Sequence, residues 1–354
     1  DGNTLSSSWE SEKSPFEELS SADVQLNTEN NTPSGSEITS AVVVVPPTTS
    51  KPSTKPTTVA PSTTVAPTTE HNIVVENDES AYGTDYGPER RVSARVDAVV
   101  RTLDSKADRC RFFMMNDIHN KAEKYQTLAK GVEKSEFDFF LMNGDMVSYI
   151  NNIEDMMRDV FNTVPELTSS IPTVYARGNH ETRGREAHLF GKVCPTPTGE
   201  PYYMFRQGPV AFLVLDGGED KPDSAPEYSG TVDFDSYRAA ELEWIREVAK
   251  DPVFADAPVK VAVMHIPALY RPSSWYAQTW LNRNFLPALN AAGVDVMLSG
   301  HHHEHFLIKA GQCGNDFPII ANDDTDRLEF EADANGWSVR TFGMDGVQTH
   351  SYGK

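Results

Sequence analysis

Five short fragments carry the residue types that could do chemistry: Asp117-Ile118-His119, Gly144-Asp145, Gly178-Asn179-His180-Glu181, His265, and Gly300-His301-His302-His303. Imidazole nitrogens, carboxylates and an amide oxygen make a mixed N/O donor set that suits Mn, Fe or Zn without choosing among them. Each fragment alone is a weak signal. A Gly-Asp after a strand is often only a turn, a single histidine behind Met264 is ordinarily a core residue, and the run 301–305 could be a solvated loop or an adventitious chelator. Their order, and the apolar run in front of each, carry the reading. Residues two apart on an extended chain face the same side, so Asp117 and His119 can grip one ion and His301 and His303 are placed together.

The elements that must position them are legible as apolar runs. Segments 111–117, 137–145, 171–177, 210–216, 259–265 and 294–299 read as buried strands. Between them, 120–133, 153–164, 237–250 and 277–292 have helical period. Strands alternating with helices predict an α/β fold with helices covering a sheet. The carboxyl ends of such strands line the ligand crevice, which would bring the five fragments together. After 305, segments 317–321, 327–331 and 337–342 read as antiparallel strands added to a second sheet.

The formal charge of −21 argues against a nucleic-acid-coating protein, which needs a basic face. No stretch approaches the ~20 apolar residues of a membrane-spanning helix. Residues 1–70 form a low-complexity tail or linker in which 34 are Ser, Thr or Pro, and its segment 51–70, where TTVAP occurs twice, has too few large apolar side chains to offset the entropy of ordering itself. Asn30-Asn31-Thr32 fits the N-glycosylation pattern, and both a decorated stalk and a bare spacer agree with this composition. The chain begins at Asp1 with no basic-then-apolar leader, the pattern of an exported protein (secreted, periplasmic or cell-surface) whose leader is absent from this chain. Residues 71–107 read as a short strand-like lead-in to the alternating segments of 108–354. Cys110, Cys194 and Cys313 allow one bridge with one cysteine over, or three inert thiols.

The order DxH, GD, GNHE, H, GHxH resembles the calcineurin-like metallophosphoesterase superfamily over roughly residues 108–310. The GNHE text, His265-Ile266-Pro267 and Tyr202-Tyr203-Met204-Phe205 are most similar to its purple acid phosphatase-like, bacterial exported branch. The resemblance implies a two-sheet β-sandwich flanked by helices, a four-layer architecture holding two divalent or mixed-valent metal ions (Fe, Mn or Zn). It also implies that 108–354 is a catalytic domain and 93–103 a remnant of a small β-sandwich before it. Carried over residue by residue, Asp117, His119 and His303 would hold one ion; Asn179, His265 and His301 the other; and Asp145 would bridge them. His180 would be catalytic, contacting the leaving group or the phosphate rather than a metal. The implied activity is phosphomonoester hydrolysis of a small phosphorylated substrate by a metal-bridged hydroxide. The alternatives are a phosphodiesterase on a nucleotide or lipid headgroup, and a non-catalytic surface protein binding metal or phosphate.

Physical chemistry supports the implied reaction. An anionic nucleophile must approach an anionic centre, and two cations roughly 3.5–4 Å apart neutralise the phosphoryl oxygens while acidifying a bridging water. An acidic protein is a poor global attractor of phosphate, so attraction falls to the metals and to local groups such as Arg183. For Arg183 and Arg177, ordinary surface salt-bridging is the simpler reading. Two departures from the family pattern matter. In Gly144-Asp145-Met146-Val147-Ser148-Tyr149, serine stands where purple enzymes place a tyrosine and other branches an orienting aspartate. The first motif keeps His119, which purple enzymes lack, so a coloured Fe(III) site is not expected. Asp155 or Glu181 is left to orient His180, and His302 and His305 read as rim residues.

Overall fold

Six of the expected apolar runs become strands buried on both faces, and the two sheets they build explain the rest of the architecture. The structure is a computed structural model that describes residues 70–80 and 91–354. The segment expected to be disordered over 1–70 lies, apart from Glu70, outside the described residues. Strands β1 (Glu70–Ser80) and β2 (Arg91–Arg101) pair antiparallel from Glu70↔Arg101 to Ser80↔Arg91 as a separate two-stranded sheet. They cover most of the lead-in read as strand-like.

The first large sheet is nucleated by β3 (Arg109–Met115), β4 (Phe139–Asn143) and β5 (Thr173–Ala176), which run parallel. The second contains β6 (Tyr203–Gln207), β7 (Val210–Leu215), β8 (Val259–Met264) and β9 (Val296–Ser299), with β7, β8 and β9 parallel. Such near-continuous hydrophobic strands are what parallel pairs require, since both faces are covered. Two short strands, β10 (Phe306–Ile308) and β11 (Ile319–Ala321), complete that sheet in the order β10-β11-β9-β8-β7-β6. β12 (Asp326–Asp333), β13 (Gly336–Gly343) and β14 (Gln348–Gly353) complete the first, in the order β14-β13-β12-β3-β4-β5.

The period-2 alternation of the strands assigns their two faces. Phe112, Leu141, Phe212, Val261 and Phe330 point into one shared layer between the sheets. There the Phe112 ring stacks on Phe139 at 4.7 Å and on Phe330 at 4.9 Å and meets Phe212 edge-on at 5.6 Å, tying four strands of both sheets together. The alternate residues Phe113 and Phe140 face outward under Tyr125 and Phe161. Leu213 and Met264 face outward under Ile245 and Phe285. The result is the expected four-layer sandwich: helices, sheet, sheet, helices.

Four expectations shift. Segment 317–321 joins the second sheet antiparallel to β10, as expected, and parallel to β9 on its other side. Segments 327–331 and 337–342 lie in the first sheet, where β12 pairs antiparallel with β3. Their alternation marks one buried face, and either sheet could have supplied the partner edge; the Phe112–Phe330 stack shows which one did. Helix 120–133 is shortened to Ala122–Ala129, because Asn120 takes a left-handed φ of 59° and Gly131 turns the chain at φ 78°. The 153–164 helix becomes Ile153–Met156 continued by a π-helical turn, Met157–Phe161. Cys110, Cys194 and Cys313 are all free thiols.

Candidate metal centre

All five fragments meet at the carboxyl edge of the sandwich, where loops from both sheets close over one another. Three overlapping groups have ligand atoms within 4.8 Å of one another: Asp117, His119 and His303; His119, Asp145 and His180; and Asp145, His265 and His301. Asp145 is shared between the second and third. Asn179 joins the third group through its Oδ1, 3.1 Å from His301 Nδ1.

The backbone is bent to achieve this. Asp117, His119, Asn120, Asp145, His301 and His303 all lie at φ between 51° and 74°. Among the described non-glycine residues only Ser229 shares that left-handed region. Each such residue carries strain of about 1–3 kcal/mol, a cost that recurs where geometry serves function. Gly178 shows how tight the crossing is. A Cβ there would run into Asp145 Oδ1, with Asp145 N at 2.5 Å and Glu181 Oε2 at 2.8 Å.

Neighbouring groups fix each side chain so that one donor atom points inward. Asp117 Oδ2 accepts from Asn116 Nδ2 at 2.7 Å and from His301 N at 2.9 Å, which leaves Oδ1 aimed into the cluster. His265 Nδ1 donates to the carbonyl of Asn143 at 2.7 Å, so Nε2 faces Asp145 Oδ2 at 3.0 Å and Asp117 Oδ1 at 3.7 Å. His303 Nε2 lies 3.2 Å from both Asp117 Oδ1 and His119 Nε2. Asp145 Oδ1 accepts from His180 N at 2.9 Å.

Electrostatics divides the imidazoles. Burial drives His119 down to about 4 and His301 down to about 3, so both are neutral with lone pairs available near pH 7. Burial is the largest influence on Asp117 and Asp145 and opposes their charge, yet the His265 charge together with hydrogen bonds, from His303 and Asn116 to Asp117 and from His265 to Asp145, outweighs it and holds both carboxyls below their ordinary range. Burial would lower His265 too, but the Asp145 and Asp117 carboxylates overcome it and raise the ring to about 10.

His180 sits within reach of Asp145 but is engaged elsewhere. Its Nδ1 donates to the Ser148 carbonyl at 3.0 Å, and its Nε2 accepts from Arg183 Nη1 at 2.9 Å. A guanidinium at Nε2 disfavours a metal ion there. The backbone of Ser148 thus does the orienting that was expected of Asp155 or Glu181. Asp155 is paired with Arg158. Glu181 is buried behind the site, taking Asp145 N at 2.8 Å, Gly178 N at 2.9 Å, Met146 N at 2.8 Å and Tyr175 OH at 2.8 Å. It holds the Asp145 loop and does not reach the His180 ring.

The two arginines depart from surface salt-bridging. Arg183 is clamped by the buried Glu219, Nε to Oε1 at 2.6 Å and Nη2 to Oε2 at 2.8 Å, so that Nη1 is the nitrogen left facing His180. Arg177 is paired with the buried Asp216 at 2.6 Å. His302 bonds Gln278, and His305 stacks on His350 with ring centroids at 3.8 Å, so neither joins the groups. Sequence reading missed Asn116, Asn143, the Ser148 carbonyl and Glu219. Only Asn116 and Asn143, polar residues ending apolar strands, left a signal that could have been followed.

The donor atoms fit a cation. Asp117 Oδ1 and His265 Nε2 are buried and have no hydrogen-bond partner, although carboxylates and imidazoles crowd around them. Unpaired buried polar atoms of this kind are strongly disfavoured unless something else meets them. The mixed N/O set suits a divalent transition ion. These clustered His and Asp residues could bind metal ions.

Comparison with known proteins agrees. No curated protein matches the chain in sequence. A purple acid phosphatase from seeds of yellow lupin (Lupinus luteus) shares the fold at a TM-score of 0.57 and 12% identity, over 74% of this chain and 57% of that one. The chain thus spans little more than half the length of the lupin protein. GAP50, the anchor in the inner membrane complex of Plasmodium, aligns at a TM-score of 0.46 and 14% identity, over 70% of this chain and 88% of that one. The calcineurin-like phosphoesterase profile matches residues 110–305, more than half of the 354 residues and every one of the five fragments. The chain belongs to the calcineurin-like phosphoesterase family.

Proposed function

We propose that the protein is a phosphomonoesterase with a two-ion centre. Family membership supports metal-dependent hydrolysis of phosphate esters. The observation that carries the finer reading is the position of Asp145 between the two sets, its Oδ2 3.9 Å from His119 Nε2 and 3.0 Å from His265 Nε2, while Asp117 Oδ1 and His265 Nε2 are buried without a hydrogen bond beside it. In this reading Asp117, His119 and His303 hold one ion, Asn179, His265 and His301 the other, and Asp145 lies between. Ions bound there neutralise phosphoryl oxygens and lower the pKa of a water. The chain supplies the rest. Arg183 Nη1, held rigid by Glu219, offers a phosphate oxygen a charge-assisted donor at little entropic cost. His180, held by the Ser148 carbonyl at Nδ1, would take up a proton at Nε2 in place of the Arg183 contact and pass that proton to the departing alkoxide.

Assay of p-nitrophenyl phosphate and bis-p-nitrophenyl phosphate after reconstitution with Mn, Fe or Zn tests the proposal. Turnover of the monoester is expected. Turnover of the diester alone would favour a phosphodiesterase, and tight metal binding with no turnover would favour a non-catalytic binding protein.

A pH dependence follows from His265. Its imidazole rises to about 10 in the fold, against an ordinary value of about 6.5 in the unfolded chain. A raised histidine contributes stability that is fully present below pH ~6.5 and is lost as pH climbs through the folded value. A bound cation takes the place of that proton, so metal uptake should release protons and remove the slope. Urea denaturation of chelator-treated and metal-loaded protein between pH 6.5 and 10 should therefore show a stability gap that widens with pH. A gap that does not change with pH would contradict the assignment of His265.

A further inference from the structure

Among the described residues, the exposed large aromatic side chains are Tyr149, Tyr270, Trp275 and Tyr276; the first three come from the two loops that carry Asp145 and His265, and Tyr276 opens the helix Tyr276–Ala292 that follows. Tyr149 is 55% exposed, and its ring meets the His180 ring edge-on with centroids 6.2 Å apart. Trp275 is 48% exposed and meets the His301 ring edge-on, also at 6.2 Å. Tyr276 is accounted for by its hydroxyl, which is committed to Asp235 at 3.0 Å. Tyr149 and Trp275 therefore stand about half exposed beside His180 and His301. Packing does not require large rings there, and water would be better met by small polar side chains. A planar group is what such faces accept, through offset or edge-to-face contact.

We propose that Tyr149 and Trp275 form an aromatic rim that selects phosphate esters of planar aromatic groups, aryl or nucleoside, over esters of flexible alcohols. The proposal rests on the phosphomonoesterase reading. With the phosphoryl group held by Arg183 and the ester oxygen at His180, a planar leaving group extends past the His180 ring to Tyr149 or, turned over, past His301 to Trp275. Binding strength is gained without any polar contact to the base or ring, so the selection is for shape and π-surface rather than for one base.

Binding of phenylphosphonate and propylphosphonate, which are not hydrolysed, to metal-loaded protein tests this by calorimetry. The wild type should prefer phenylphosphonate, and the double variant Tyr149→Ala/Trp275→Ala should weaken it about 10- to 100-fold, the usual return of stacking one planar ring on an aromatic side chain, with each single alanine variant weakening it less. Tyr149→Phe should restore the preference, and propylphosphonate affinity should move far less. Equal affinity for the two phosphonates in the wild type, or equal weakening of both in the alanine variants, overturns the proposal. Because no turnover is involved, this failure is distinct from that of the phosphomonoesterase reading, which fails when no phosphate ester is hydrolysed. Relative kcat/KM for phenyl phosphate and adenosine 5′-phosphate then distinguishes the aryl from the nucleoside source, and a preference for either over glycerol phosphate supports the rim.

Discussion

Asp145→Asn should abolish turnover and weaken metal binding while leaving the fold intact. The substitution keeps the size of the side chain and removes its charge. In the structure Asp145 Oδ2 lies 3.0 Å from His265 Nε2 and 3.9 Å from both His119 Nε2 and His180 Nε2, so one oxygen faces both groups of ligand atoms. The loop itself does not depend on that charge, because Glu181 holds the Asp145 and Met146 amides from behind. Loss of a partner that merely orients a ligand lowers metal affinity by about 10- to 100-fold, and loss of a shared ligand should exceed that. Elemental analysis beside circular dichroism checks the prediction. Full metal content with unchanged activity would show that Asp145 is not the shared ligand.

His180→Ala should lower kcat by about 10²- to 10⁴-fold, the usual contribution of a general acid, with metal content unchanged. The ring is separated from the ligand set by its own contacts, the Ser148 carbonyl on Nδ1 and the Arg183 guanidinium on Nε2. The deficit should shrink for substrates whose leaving group needs no proton. p-Nitrophenyl phosphate should therefore suffer less than an alkyl phosphate. A His180→Ala protein that loses its metal would instead make His180 a ligand, in keeping with its place within 4.8 Å of His119 and Asp145.

Much of this was readable in the chain because parallel strands leave a plain record. Phe112 to Met115, Phe139 to Met142 and Val261 to Met264 are apolar without interruption, and the residue types able to hold a cation follow within three positions of their carboxyl ends. Topology then brings those ends together whatever their distance in sequence. What was not readable has no side-chain signature. The carbonyl of Ser148 orients His180, and any residue type would supply a carbonyl. The left-handed backbone at Asp117, Asp145 and His301 falls on residue types that tolerate that region better than most, but those types occur throughout the chain and do not mark these positions. Glu181 looks like a neighbour for the His180 ring in a linear reading, but the 3₁₀ turn His180–Thr182 carries it to the opposite side, under the Asp145 loop. Glu219 lies 36 residues from Arg183, and no spacing rule connects them.

Anomalous diffraction from crystals of the metal-reconstituted protein is the most direct test of the central claim. The account predicts two peaks at the carboxyl edge of the sandwich. One should be ringed by Asp117, His119 and His303 and the other by Asn179, His265 and His301, with the Asp145 carboxylate between them. A single peak, or peaks that leave Asp117 and His265 untouched, would contradict it.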